Sequence, residues 1–220
     1  MSNPTIEDKP FIERSNSLNV RHICYSLLSK VIFDGEPIVP AIISEKQDTE
    51  FFGNVFEVER LGGEDLYDYI KNKDHLKSEK LLVLLHVVRQ LKAIDEAGYI
   101  IFDRHGSNIR VLSSNPQHIS VRHVDIEDMY DKQADCTYSL RGSSMSDETA
   151  DLFKSKGISL WVLAVDKLAV EGELIGEIHD DQAITDIFSL CRWETGERGH
   201  SLEELEKACI HAIKISEVTT

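Results

Sequence analysis

Residues 98 to 110 read GYIIFDRHGSNIR, and residues 123 to 128 read HVDIED. Each stretch sets an aspartate at the end of a run of β-formers: Asp103 after Tyr99–Phe102 and Asp125 after Ile119–Val124, with Asn108 between the two. Two strand-end acids with an asparagine are the groups that a magnesium–phosphate site requires. Phosphoryl transfer asks little covalent chemistry of a protein. It needs one carboxylate to orient or deprotonate the acceptor hydroxyl, and oxygen ligands to hold magnesium against nucleotide phosphates. Asp103 suits the first role; Asn108 and Asp125 suit the second. His105, two residues beyond Asp103, suits neutralising charge on the transferring phosphate or holding Asp103 in place, and Arg104 suits either task or an ion pair within the fold. Taken singly, an Asp or Asn after a strand is ordinary turn chemistry. What gives these residues weight is their context: long helix, glycine, strand, DRHGSN, strand, turn, strand, aspartate.

The elements that must position these groups are legible to different degrees. Over 78–97, Leu81, Leu82, Leu84, Leu85, Val88, Leu91 and Ile94 form a wide apolar helical stripe, and Gly98 offers the left-handed stop. The chain is then expected to run as strand Tyr99–Phe102, the DRHGSN loop, strand Ile109–Leu112, a turn over Ser113–Pro116 and strand Ile119–Val124. That order sets both acids beside neighbouring strands of one small hairpin. Upstream, Leu18 to Val31 carries helical spacing, DGEP (Asp34–Pro37) reads as a turn, and Ile38–Ile43 and Phe51–Val58 read as strands. LGGE from Leu61 breaks the chain before a short helix, Asp65–Lys71. Downstream, Ile158–Val170 is apolar nearly all round and predicts a buried helix. Ala183–Arg192 and Leu202–Ile215 predict two more, the last capped by Ser201 with Glu204 three residues on. The fold class expected is α+β.

With 220 residues the chain can build one large domain or two small lobes. Its apolar runs, such as LLVLL from Leu81, are far too short to span a bilayer. The first sixteen residues, MSNPTIEDKPFIERSN, hold no apolar signal core, so a cytoplasmic protein is expected. A formal net charge of −15 argues against a nucleic-acid partner, which feeds on clustered Lys and Arg. The acid gathers at Asp125–Asp151 and Glu171–Glu206, which reads as solvated surface or as a docking face for a basic protein partner. The four cysteines lack C-x-x-C spacing and the histidines lack H-E-x-x-H, so no structural metal is indicated.

The order of elements resembles the C-lobe of the protein-kinase-like superfamily, whose catalytic loop H-R-D-x-x-x-x-N is followed by a metal aspartate in D-F-G. The corresponding stretches are IFDRHGSN (Ile101–Asn108) and DIE (Asp125–Glu127). The D-R-H-x-x-N form is similar to the phosphoinositide 3-kinase-type and aminoglycoside-phosphotransferase-type branches. The resemblance implies a kinase-like α+β fold, with a reduced N-lobe of a helix and small antiparallel sheet over 1–60 and a mainly helical C-lobe over 61–220. It implies ATP and Mg²⁺ as cofactors. FEVERLGGEDLYDYI (Phe56–Ile70) would be the fifth strand, hinge and first C-lobe helix, so that the backbone of Glu59, Arg60 and Leu61 meets adenine.

The chain also departs from that family's pattern. Before Leu18 there is no G-x-G and a single lysine, Lys9; Lys30 and Lys46 are the other candidates for a phosphate-binding lysine. The helix at 18–31 carries no glutamate for a Lys–Glu pair, D-F-G has become D-I-E, and the start of the central helix reads SKG (Ser155–Gly157) in place of an acid. Two functions follow as expectations. One is an ATP-dependent phosphotransferase acting on a hydroxyl of a protein or small soluble acceptor. The other is a pseudokinase-like scaffold that binds a protein partner, by itself or completed by another subunit.

Overall fold

The computed structural model describes residues 11–15, 20–48, 53–101, 106–126, 128–139, Ile184, Ile187 and 202–218. They form an α+β arrangement of small antiparallel sheets and a few helices. Strands β1 (Phe11–Ser15), β4 (Ile42–Asp48) and β5 (Gly53–Val58) make one sheet in the order β1–β5–β4. Helix α1 (Val20–Leu28) buries Cys24, Tyr25 and Leu28. Tyr25 meets the ring of Phe56 from β5 edge-on, with centroids 5.8 Å apart. Aromatic pairs favour this geometry because a positive ring edge faces a negative ring face. It fixes which side of α1 looks inward.

Two strand boundaries differ from expectation. The strand expected at 38–43 begins only at Ile42, because Pro40 has no N–H to give a ladder. Ile38 and Val39 are fully buried instead, and the Ile38 carbonyl accepts the His123 N–H at 2.7 Å. The DGEP turn is the tip of a hairpin between β2 (Ile32–Phe33) and β3 (Glu36–Pro37). Asp34 and Gly35 both take positive φ, 50° and 81°, as a two-residue primed turn demands.

Helix α2 (Leu66–Lys71) starts as the sequence indicates, with the Asp65 carboxylate accepting the Asp68 N–H at 2.9 Å. Helix α3 (Lys77–Glu96) ends at Gly98, whose φ of +93° is the left-handed stop. Its buried set is wider than one stripe and includes Val83, His86, Val87 and Gln90, because partners cover several of its faces. They are β8 (Ile109–Asn115), β9 (His118–His123), β7 (Tyr99–Ile101) and the last helix, α4 (Leu202–Val218). Each fully buried Leu or Ile on α3 contributes about 1.5–3 kcal/mol over leaving it exposed. α3 is the core of this part of the molecule.

Strands β8 and β9 form a hairpin, extended by β6 (Glu64–Asp65) on the β8 side. β8 runs to Asn115 rather than stopping at Leu112. A bulge between Val111 and Ser113 lets pairing continue, and the Ser113 hydroxyl donates to the His118 carbonyl at 2.8 Å. The larger correction concerns β7. It does not join this hairpin but pairs with β10 (Asp128–Asp131), which pairs in turn with β11 (Cys136–Ser139). The strands leading to Asp103 and Asp125 therefore belong to different sheets. The β10–β11 hairpin, hidden in acid-rich sequence, takes up the edge of β7.

The helix expected at 158–170, and the Ser201 cap, lie outside the described residues. Within 183–192, Ile184 and Ile187 are helical and buried. No helix among the described residues is long and apolar enough to cross a membrane.

Candidate functional site

On α1, Arg21 and Tyr25 are four residues apart and share a helical face. Both reach the same residue. The Arg21 guanidinium meets the Asp125 carboxylate at 2.9 Å, and the Tyr25 hydroxyl accepts the Asp125 backbone N–H at 3.0 Å. Asp125 has φ of +52°. Among the described residues two other non-glycine residues have positive φ, Asp34 and Asp135, and both sit in hairpin turns where tight reversal dictates it. Asp125 lies in no such turn; it follows β9 with its side chain 49% exposed. A left-handed aspartate outside a turn, held from one helix by backbone and side chain together, is a positioned group.

Asn108 is brought to the same place by the open end of the β8–β9 hairpin. Ile109 pairs with His123, and one step outward the Val124 N–H donates to the Asn108 carbonyl at 2.9 Å. Asn108 itself is only 5% exposed and closes a short 3-10 turn, Gly106–Asn108. That turn lies against α2: a Cβ at Gly106 would run into the Tyr67 ring. The glycine of DRHGSN is thus explained by space.

The segment after β5 forms another wall. The Glu59 N–H donates to the Ala41 carbonyl at 2.8 Å, which ties the start of this segment to the strand beside it. Arg110, on β8, donates to the carbonyls of Gly62 and Gly63 and holds the far end. Gly63, at φ of +73°, has no room for a Cβ against the Val111 carbonyl.

These walls enclose a cleft of about 590 Å³. Glu59, Arg60 and Leu61 line it together with Asn108 and Asp125, so these five expected site residues share one concavity. Pro40, Val58, Leu61 and Val124 give it apolar surface; Arg21, Arg60 and Arg110 give it positive charge. Asp103, Arg104 and His105 lie outside the described residues, as does Lys9. Lys30 is exposed beyond the end of α1. Sequence reasoning missed Arg21, Tyr25 and Arg110. The first two share an i,i+4 spacing that marks a helix face, but nothing local names Asp125 as their partner.

Asn108 and Asp125 offer oxygen donors, the chemistry a hard cation such as Mg²⁺ prefers. Among the described residues no cluster of three or more His, Cys, Asp or Glu could hold a metal. A magnesium ion here would rely on phosphate oxygens and water for its other ligands, which is its usual habit. The half-exposed Asp125 carboxylate, facing a cleft of this size, fits that requirement.

A second cavity of about 350 Å³ lies at the other end of the same hairpin, walled by Phe33, Asp34, Glu36, His86, Arg89 and His118 among others. Its Glu36 carboxylate is tied down. Glu36 accepts from the Ser120 hydroxyl at 2.7 Å and from Arg122 at 2.7 Å, with His118 at 3.2 Å. The hydrogen bonds from Ser120 and Arg122 hold its carboxyl below the usual range. Burial pushes the His86 imidazole below its ordinary value, against the pull of Asp34 at 3.8 Å.

The sequence matches no protein-family model and no curated protein.

Proposed function

We propose that this chain is a kinase-like phosphotransferase that takes ATP and Mg²⁺ in the 590 Å³ cleft and passes a phosphoryl group to a hydroxyl of a protein or small soluble acceptor. One observation carries the reading. Glu59–Leu61, Asn108 and Asp125 are separated by up to 66 positions of chain, yet they line a single cleft with apolar surface and arginine charge. In this reading the Glu59–Leu61 backbone and the apolar surface of Pro40 and Val58 receive the base. Asn108 and Asp125 hold the metal, which when bound neutralises phosphate charge.

Asp103 takes the proton from the acceptor hydroxyl. The new O–P bond forms as the bond from the γ-phosphorus to the β–γ bridging oxygen breaks, and ADP leaves with that electron pair. His105 steadies the transferred group. Alignment and electrostatic stabilisation supply most of the rate.

Calorimetric titration with ATP, with and without Mg²⁺, tests the reading beside Asp125→Asn. ATP binding that Mg²⁺ tightens in the native protein, with that tightening and phosphate transfer both lost in the variant, is the expected result. Absence of binding up to millimolar ATP in both would overturn it.

The Arg21–Asp125 ion pair favours a second reading. A guanidinium already neutralising the metal carboxylate suits a pseudokinase-type scaffold, in which the acidic surface docks a basic protein partner. That module would bind no Mg·ATP and transfer nothing, and its complex with the partner would weaken as salt rises.

A further inference from the structure

The formal charge of −15 makes most of this protein repel a triphosphate, so any cleft that accepts one must concentrate its scarce cations. Three arginines do face the cleft, but their situations differ. Arg110 is spent on the Gly62 and Gly63 carbonyls. Arg60 is exposed on the Glu59–Leu61 segment, at the end where the base is received. Arg21 meets Asp125, assigned to the metal, at 2.9 Å in the cleft that Asn108 also lines, and its side chain is only 18% exposed. It is carried by α1, which is locked to β5 through the Tyr25–Phe56 contact.

We infer that Arg21 is the phosphate-binding cation of the cleft, contributed by helix α1 in place of a strand-borne lysine. This inference rests on the nucleotide reading above and adds the residue that recognises the triphosphate. A guanidinium has five N–H donors in a planar fork that fits carboxylate and phosphate oxygens alike. It can therefore hold Asp125 when the cleft is without nucleotide and share or exchange that contact for a phosphate oxygen when nucleotide arrives. The Asp125 carboxylate and the triphosphate then compete for the same cation. A bound magnesium ion would relieve the competition, since Asp125 and Asn108 would be the residues that hold it.

The competition gives a signature that a merely structural ion pair lacks. Without metal, Asp125→Asn removes a negative charge from the cleft and weakens the hold of position 125 on Arg21, so ATP binds more tightly, by roughly 3- to 10-fold. Arg21→Met weakens ATP in the same buffer by roughly 10- to 100-fold, the worth of a charge-assisted hydrogen bond. Arg21→Lys, which keeps charge without the fork, falls between.

The experiment is equilibrium titration of the full chain and these three variants with ATP and with adenosine, in EDTA, each variant's melting curve being recorded alongside. Support is an unchanged adenosine affinity in every variant, a loss of ATP affinity that is largest in Arg21→Met and smaller in Arg21→Lys, and a gain in Asp125→Asn. If Arg21→Met binds ATP as the native chain does while adenosine still binds, the Arg21 assignment is overturned and the nucleotide reading stands. If Arg21→Met loses ATP and adenosine equally, Arg21 is a prop for the cleft and the assignment is again overturned. If the native chain binds neither ligand, the nucleotide reading falls and takes Arg21 with it.

Discussion

The β8–β9 hairpin ends in two opposite ways. At its turn end, Glu36 is clamped by Ser120, Arg122 and His118, and the Arg122 side chain is only 10% exposed. At its open end, Asp125 keeps 49% of its side chain exposed in the larger cleft, on a backbone in the left-handed region. Both are carboxylates facing arginine. One is neutralised by fixed donors and serves to staple the β2–β3 hairpin to β9; the other is held in place while still open to the cleft. A charge that the fold has saturated is architecture. A charge that the fold positions and leaves half open is where chemistry has room to occur.

Stability measurements test that contrast most directly. Glu36→Gln removes the carboxylate from buried Arg122 and should cost about 1–2 kcal/mol, a few degrees in melting temperature. Asp125→Asn breaks a pair whose carboxylate is 49% exposed, so its cost should stay under about 1 kcal/mol even if it changes nucleotide binding as proposed. Equal losses in urea unfolding would erase the distinction. The acid limb adds a second readout. Because the folded Glu36 carboxyl is held below 4.5, its stabilisation is complete above its unfolded value and disappears as pH falls through the folded one. Glu36→Gln should flatten that limb.

His86 sharpens the same comparison from the basic side. The folded imidazole lies below 6.5 because of burial, so the unfolded chain takes up a proton that the folded one refuses. Stability is therefore full above about pH 6.5 and declines as pH drops below it, by at most about 1.4 kcal/mol per unit. His86→Leu should remove part of the decline measured by thermal melts between about pH 7.5 and 5.5. An unchanged slope would assign the decline to other groups.

The smallest effect is expected where charge pairs merely bridge helices. Glu206 on α4 accepts from Lys92 at 2.7 Å and Arg89 at 2.8 Å on α3, and the hydrogen bond from Lys92 is the main reason its carboxyl is held low. The pairs are partly exposed, so Glu206→Gln should cost only about 0.5 kcal/mol and less in high salt. A loss as large as that of Glu36→Gln would mean that saturation matters less than assumed.

How much of this was legible in the sequence depends on the range of the interactions. α3 announces itself through repeated leucines and Gly98, and α2 through Asp65, since helix stripes and caps are local facts. Five candidate site residues in one cleft were also within reach, because short motifs of fixed spacing carry them. The tie from α1 to Asp125 was not. The Tyr25 hydroxyl and the Asp125 amide are 100 residues apart in sequence, and neither residue signals the other. The separation of β7 from the β8–β9 hairpin was hidden for a similar reason. Its partner β10 carries Asp128 and Asp131, and the acid-rich stretch concealed a strand whose Met129 and Tyr130 are buried. The extension of β8 depended on a bulge, which sequence patterns seldom reveal.

The positive φ of Asp125 decides which substitutions at this position can be interpreted. Alanine would delete the carboxylate and also meet a left-handed penalty of about 1–2 kcal/mol, mixing two causes in one number. Asparagine tolerates that region and keeps the shape while removing the charge and turning one acceptor into a donor; glycine relieves the backbone and deletes the side chain. A property restored on going from Ala to Gly at 125 belongs to conformation, and one lost equally in Asn, Ala and Gly belongs to the carboxylate.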